Sequence, residues 1–213
     1  VLGFTATAQT IRIADNNANR PTGPNIYSSV QAAHDAAVAG DIVYVQPSLT
    51  SYGDLTINKQ ITLRGIGFNT GKDLAYNSIL NNINLTNRVD NTSNASGSTI
   101  EGLVANDILI GTQTGSFSYT LQNILVNNCI VNRAFRASGY VSAQAITIRS
   151  CSIGIHFQLC NVTNLLVHGN YLTGPGSGCG RSAFGFWNGS LNNVIIANNI
   201  IAQAESNGIH QAS

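Results

Sequence analysis

The 213-residue chain has few charged residues, and this scarcity limits the partners it can have. Charged side chains make up 9% of the sequence, against about 25% in ordinary soluble domains. The formal net charge is +1, so no basic surface of the kind that binds nucleic acid is expected. No apolar run approaches the roughly 18 residues of a membrane-spanning helix. We therefore expect neither a nucleic-acid partner nor a membrane span.

Acidic residues are almost missing from the second half of the chain, where Glu205 is the only one after Asp107. Glycoside hydrolysis needs two carboxylates about 5–10 Å apart beside the scissile bond. Calcium sites need several oxygen ligands, usually including carboxylates. The sequence therefore argues against a hydrolase and shows no metal site. His34 and His168 lack the spacing of zinc ligands, and we expect both to be surface residues.

Methionine is missing as well, and the chain opens with the apolar segment VLGFTATAQ. This segment is typical of the end of a signal-peptide core followed by an A-x-A cleavage zone at Ala6 to Ala8. We expect residues 1–9 to be a signal-peptide remnant, with a short apolar first strand as the alternative. The mature protein would then be secreted or displayed at the cell surface.

Asparagine is abundant instead, with 27 residues, and many of them lie in a repeat of about 20 residues. Four segments align without gaps: NILVNNCIV (123–131), AITIRSCSI (145–153), NLLVHGNYL (164–172) and NVIIANNII (193–201). In each, alternating apolar residues are interrupted by a pair of small or polar residues. Asparagine tolerates the left-handed backbone of a sharp bend, and its amide can hydrogen-bond along a stack. The pattern predicts a solenoid of stacked β-coils, or rungs, with these pairs at the corners.

A second strand is predicted after each corner, in AFRA (134–137), GIHF (154–157), GFWN (185–188) and GIHQ (208–211). Alternation of side chains would direct one column inward: Phe135, Ile155, Phe186 and Ile209. It would direct the next column outward: Arg136, His156, Trp187 and His210. We predict that this outward column binds carbohydrate, since an aromatic face offers apolar area and its neighbours offer hydrogen bonds. The alternative is a shift of one residue, which would bury Trp187.

The N-terminal part differs, because VQAAHDAAVAGD predicts an amphipathic helix. Ser28 or Ser29 would be its N-cap and Gly40 its end. The strand DIVYVQ follows directly. Such a helix would cover the end of the solenoid, where apolar core and unpaired strand edge are otherwise exposed.

The four cysteines fit an exported protein without proving disulfides. Cys129 and Cys151 share one corner column and would fill it as small apolar side chains. Cys160 and Cys179 are expected to form a disulfide that ties the Gly-rich loop at 171–183 to the body of the fold.

These features resemble right-handed parallel β-helix proteins of the pectin-lyase-like superfamily. The resemblance rests on the helix VQAAHDAAVAGD, the strand IVYVQPS, the segment LTINKQITLRGIG and the Asn-cornered rungs, and it covers the chain from about residue 25. It implies an all-β fold, a right-handed parallel β-helix of about seven rungs with an N-terminal capping helix. The domain would occupy residues 10–213 and be truncated at its C-terminus, since NGIHQAS stops within a rung.

The resemblance implies an exported, carbohydrate-oriented protein, although this fold carries several activities. We expect a secreted or cell-surface scaffold or adhesion module whose partner is a polysaccharide. The alternative is a uronate lyase acting by β-elimination, with Arg136 or His156 near the proton to be removed. Relatives of that type hold Ca²⁺ with clustered acidic residues, so Ca²⁺ is expected only under the alternative. Ice binding would need a flat, Thr-rich column, and the aligned rungs show none.

Overall fold

A computed structural model describes residues 9–67, 76–87, 92–111, 119–138, 141–174, 182–202 and 208–212. Most of the predicted signal remnant, residues 1–8, lies outside these ranges. The helix described is α1 (Val30–Ala36). The strands, in chain order, are β1 (Ile11–Ala14), β2 (Ile26–Tyr27), β3 (Ile42–Val45), β4 (Leu55–Ile57), β5 (Thr62–Arg64), β6 (Asn82–Leu85), β7 (Thr99–Glu101), β8 (Val104–Ile110), β9 (Tyr119–Asn127), β10 (Ile130–Ser138), β11 (Val141–Arg149), β12 (Ser152–Ile153), β13 (Ile155–Gln158), β14 (Asn161–His168), β15 (Tyr171–Thr173), β16 (Phe184–Trp187), β17 (Ser190–Ala197), β18 (Ile200–Ala202) and β19 (Ile209–Ala212).

These strands form two parallel sheets. The first has nine strands in the order β17-β14-β11-β9-β7-β5-β3-β1-β2. The second has ten: β4, β6, β8 and β10 pair in succession, and the sheet then divides into the branches β12-β15-β18 and β13-β16-β19. Because neighbours in the first sheet come from successive turns of the chain, the chain winds as a solenoid. The prediction of an all-β parallel solenoid is thus confirmed for the described residues.

The bends after the long strands of the first sheet have left-handed backbone. The positive φ angles form a column across the rungs: Gly102 (68°), Asn128 (52°), Ser150 (55°), Gly169 (65°) and Asn198 (54°). Strand pairing places these residues in register, since each follows a residue of the aligned column Glu101, Asn127, Arg149, His168 and Ala197. Asparagine and glycine adopt this conformation at low cost. The predicted corners are therefore confirmed.

The residue after each corner points inward and hydrogen-bonds to the neighbouring rungs. The Cys129 N–H donates to Cys151 Sγ at 3.4 Å, and the Cys151 N–H donates to Asn170 Oδ1 at 3.0 Å. The Asn170 N–H in turn donates to Asn199 Oδ1 at 2.9 Å. We call this column of Cys129, Cys151, Asn170 and Asn199 the corner ladder.

The two cysteines of the corner ladder fill the corner as buried members of the hydrophobic core, as expected, and they also make hydrogen bonds. Cys151 Sγ also donates to Arg149 O at 3.0 Å, much as Asn170 Nδ2 donates to His168 O at 3.1 Å. The hydrogen bond between the two side chains raises the pKa of Cys129 well above its usual value and lowers that of Cys151. Each thiol thus takes the place of an amide in the ladder.

Alternating apolar residues fill the interior of the solenoid. Val126, Ile148 and Val167 are fully buried on consecutive strands of the first sheet. On the second sheet, Phe135 packs edge-on against Phe157 with ring centroids 6.0 Å apart. A fully buried side chain of this size contributes about 1.5–3 kcal/mol to the hydrophobic driving force. The stacking of similar apolar side chains therefore stabilises the packing of each rung on the next.

The helix begins at the predicted residue and ends earlier than predicted. Ser29 is the N-cap, and its Oγ accepts a hydrogen bond from the Ala32 N–H at 3.1 Å. The helix ends at Ala36 rather than near Gly40, because Ala37 is already extended with ψ 151°. The ammonium of Lys59 supplies the alternative partner for the carbonyls at this end, donating to those of His34, Asp35 and Ala37.

Two side chains join the helix to the solenoid. His34 is fully buried, which corrects the expectation of a surface residue, and this burial lowers its pKa. Gln31 pairs with the backbone of β4: its Oε1 accepts from the Thr56 N–H at 2.9 Å and its Nε2 donates to the Thr56 carbonyl at 3.3 Å. The Gln31 amide therefore occupies the position that a neighbouring strand would take.

Replacement of Ala145 by Asn is expected to stabilise the fold. Ala145 has φ 52° and lies in register with Asn123 and Asn164, which share this left-handed conformation. The left-handed region costs an ordinary residue about 1–2 kcal/mol, and Asn less. We expect a gain of about 1 kcal/mol, or roughly 2–4 °C in the midpoint of thermal unfolding.

The matched control is Gln144→Asn, one residue earlier on the same strand, where the structure gives no positive φ. This control should not raise the unfolding midpoint. An Ala145→Asn variant no more stable than the parent protein would contradict the account of the bend.

Candidate functional site

The predicted outward column is partly corrected by the strand register of the second sheet. Arg136 pairs with His156 as predicted, but His156 pairs with Gly185, and Trp187 pairs with Gln158. His210 occupies the expected column, opposite Gly185; its side chain lies outside what the structure describes. Trp187 is thus two positions away from the predicted place. A shift of two residues preserves the alternation of inside and outside, so the hydrophobic pattern did not reveal it.

Trp187 nevertheless reaches His156. The two ring centroids are 5.5 Å apart, with an interplanar angle of 57°. The indole lies over Gly185, where an added Cβ would be only 2.1 Å from the ring. The structure therefore brings Arg136, His156 and Trp187 together, with glycine as the residue that makes room for the indole.

His156 is buried, which corrects the expectation that it is exposed. Its exposed fraction is 4%, and Nε2 donates to the Ser182 carbonyl at 2.8 Å. Nδ1 is also buried and has no hydrogen-bond partner. Burial lowers the pKa of His156. The side chain is therefore held as a neutral imidazole whose Nδ1 lone pair is unused.

A buried carboxylate lies beside this group. Asp107 is 1% exposed, and its Oδ2 accepts from Arg136 Nη2 at 2.8 Å and from Arg133 Nη1 at 3.2 Å. Its other oxygen, Oδ1, is buried without a hydrogen-bond partner. Two guanidinium groups against one carboxylate leave a formal charge of +1 at this point.

A β-bulge explains how both arginines reach one carboxylate. Val131 pairs with Ala105 and Ala134 with Asp107, so two residues of β10 lie opposite the single residue Asn106 of β8. The extra residue shifts the alternation of β10 by one position. Arg133 and Arg136, which would face opposite sides of a regular strand, therefore both turn to Asp107.

The three ionic residues lie at one end of a cleft of about 560 Å³. Four further lining residues are polar and come from β4, from β6 and from the residue after β6: Thr56, Asn82, Asn84 and Thr86. Leu109 and Gly111 complete the lining. One column of paired residues runs along it, from Thr56 through Asn84 and Leu109 to Arg136 and on to His156. The cleft thus leads towards the His156–Trp187 contact.

Sequence reasoning missed Asp107 and Asn84 as site residues. Asp107 is a single carboxylate without a second one nearby, so it fits neither a hydrolase nor a calcium pattern. The signal that could have found it is the alignment of NDILI (106–110) with RAFRA (133–137), which places Asp107 opposite Ala134, between Arg133 and Arg136 of the next rung.

The structure also bears on the predicted disulfide, on metal binding and on a membrane span. Cys160 is buried, and burial raises the pKa of its thiol to about 12. Cys179 lies outside the described residues, so the pairing of Cys160 with Cys179 stays a prediction. Within the described ranges no group of three His, Cys, Asp or Glu is placed to hold a metal ion. In the same part of the chain, no helix is both long and apolar enough to cross a membrane.

No protein-family model matches the chain, and no curated protein or solved structure matches it either. The function is therefore argued from the cleft itself.

Replacement of Gly185 by Ala is expected to displace the indole of Trp187, because the new Cβ would occupy the position of the ring. Trp187 is the only tryptophan, so its fluorescence reports this site alone. We expect an emission shift to longer wavelength as the indole moves into water. Gly23→Ala, whose Cβ would meet only the Ile26 side chain at 3.4 Å, is the control. An unchanged spectrum in Gly185→Ala would contradict the packing described.

Proposed function

We propose that this protein binds an acidic polysaccharide in the cleft between β4 and β10, as a secreted or cell-surface scaffold or adhesion module. In this proposal the solenoid is a right-handed parallel β-helix of about seven rungs, of the pectin-lyase-like type. The observation that carries the proposal is the buried Asp107 with its unpartnered Oδ1 beside two arginines.

The charge of the cleft favours an anion. Arg133 and Arg136 outnumber Asp107, and Arg133 keeps about half of its side chain exposed (53%). A guanidinium binds a carboxylate through two parallel N–H···O hydrogen bonds, which are about twice as strong as neutral ones. A uronate carboxylate, or another anionic group of similar size, fits such a position.

The remaining groups favour a ligand that is rich in hydroxyls. Asp107 Oδ1 is an acceptor without a donor, and a buried acceptor left unpaired costs about 1–3 kcal/mol. A sugar hydroxyl would supply that donor. The amide of Asn84 can both donate and accept, as hydroxyl groups require. The amide of Asn82 already donates to Asp54 Oδ1 at 2.9 Å, which leaves its oxygen and its second N–H for a ligand. Trp187 adds an apolar face for a sugar ring next to the cleft.

Polygalacturonate is expected to bind and to change the Trp187 fluorescence. Arg136→Gln should weaken binding about tenfold or more, since a hydrogen bond to a charged group contributes about 1.5–3 kcal/mol. Fluorescence titration at two salt concentrations measures the effect, and binding should weaken at the higher one.

Arg149→Gln on the first sheet removes the same charge outside the cleft and should leave binding unchanged. A neutral galactan is the control ligand. Equal affinity for both polymers, or an Arg136→Gln variant that binds as well as the parent protein, would rule the proposal out.

Elimination of a uronate is the second candidate, and the free Nδ1 of His156 favours it. The imidazole would accept the proton α to the carboxylate while Arg136 holds that carboxylate. The electrons of the C5–H bond would form a C4–C5 double bond while the C4–O bond breaks. The glycosidic oxygen would leave as a hydroxyl of the released sugar, taking a proton from the imidazolium or from water. His156 is only 4% exposed, so substrate would reach Nδ1 only after the groups over the ring move. For this reason binding ranks before catalysis.

A lyase would release unsaturated uronate, which absorbs in the ultraviolet. Polygalacturonate, alginate and chondroitin, each with and without Ca²⁺, are the substrates to test. The rate should fall on the acid side only below pH about 6.5, since the pKa of His156 is lowered from that value. His156→Gln should abolish the signal, and His168→Gln should not. A flat trace on all three substrates would remove this candidate and leave binding untouched.

A further inference from the structure

The first sheet carries a second surface that is separate from the cleft. One outward residue from each of six neighbouring strands forms a continuous row: Thr62, Thr99, Leu125, Thr147, Leu166 and Ile195. We call this row the outer stripe. Strands lie about 4.8 Å apart, so the stripe is about 24 Å long. Its members are half-buried, apart from Ile195, which is 52% exposed.

Amide side chains lie beside the outer stripe on three of its strands, and Ala145 of β11 interrupts this amide row between Asn123 and Asn164. Asn123, Asn164 and Asn193 have φ angles of 58°, 57° and 53°, and they lie two residues before the stripe on β9, β14 and β17. The left-handed residue interrupts the alternation, so that Gln122 and Asn123 are both exposed. Asn193 Nδ2 donates to Asn164 Oδ1 at 2.7 Å, which orients the amides along the row.

The surface is almost free of charge. In β9, β11, β14 and β17 the only formally charged residue is Arg149, at the end of β11. On the other two strands of the stripe, β5 and β7, Arg64 and Glu101 form an ion pair with each other, so their charges cancel. An anionic polymer would find no series of cations here, in contrast to the cleft with its two arginines. The groups offered are methyl and aliphatic surface in the stripe, with amide donors and acceptors beside it.

This chemistry fits an uncharged polymer that repeats along the axis of the solenoid. The equatorial hydroxyls of a neutral β-linked polysaccharide suit the amide row, and the apolar faces of its rings suit the stripe. We propose that the outer stripe and its amide row bind an ordered, uncharged polysaccharide, independently of the cleft. The protein would then carry two glycan surfaces of different charge.

Co-sedimentation with microcrystalline cellulose and with chitin tests the proposal. The parent protein should pellet with at least one of the two polymers, and salt should have little effect on the amount that pellets. Thr147→Lys combined with Leu166→Lys should weaken this binding at least tenfold, because both side chains lie in the middle of the stripe. If the double variant does not fold, Ile195→Lys in the stripe replaces it, since Ile195 is 52% exposed and has no positive φ.

Gln158→Lys adds the same charge to an exposed position of the second sheet and should pellet like the parent protein. Arg136→Gln should also pellet normally, which separates this surface from the cleft. The proposal would be overturned if the parent protein pelleted with neither polymer. It would also be overturned if the stripe variants pelleted like the parent protein and differed from it only in oligomeric state or in binding to ice crystals.

Discussion

The corner ladder holds four successive turns of the chain, from β9 to β17, in register with one another, and the surfaces built on these turns depend on that register. The bends enclose backbone N–H groups that no strand can pair, and an unpaired buried donor costs about 1–3 kcal/mol. Cys151, Asn170 and Asn199 each accept one of these donors from the preceding rung. A slip of one residue would leave these donors unpaired and would turn the buried apolar columns outward.

Register then determines what the outer surface can do. Residues far apart in sequence become neighbours, as in the column from Thr56 through Asn84 and Leu109 to Arg136. Where the register is broken, at the bulge of β10, two arginines meet one buried carboxylate. The regular part of the solenoid gives repeating surfaces, and the irregular pairing at this bulge gives the charged end of the cleft.

The sequence predicted the parts of the structure whose information is local. The segments of β9, β11, β14 and β17 carry their apolar alternation and their corner within nine residues, so their alignment agrees with the observed pairing. Trp187 was misplaced because the segment before β16 varies in length and a two-residue shift preserves the alternation. The burial of His156 and the ion pairs of Asp107 depend on contacts between rungs, more than 25 residues apart, which no local pattern contains.

The double hydrogen bond of Gln31 to Thr56 gives the solenoid a closed beginning. In the second sheet, the edge of β4 that has no neighbouring strand pairs with the side chain of Gln31. In the first sheet, the outermost strand β2 has only two residues. A strand from another molecule would find little backbone to pair with at this end. Within the described residues, the edges by which parallel sheets recruit foreign chains into fibrils are thus partly covered at the N-terminal end of the fold.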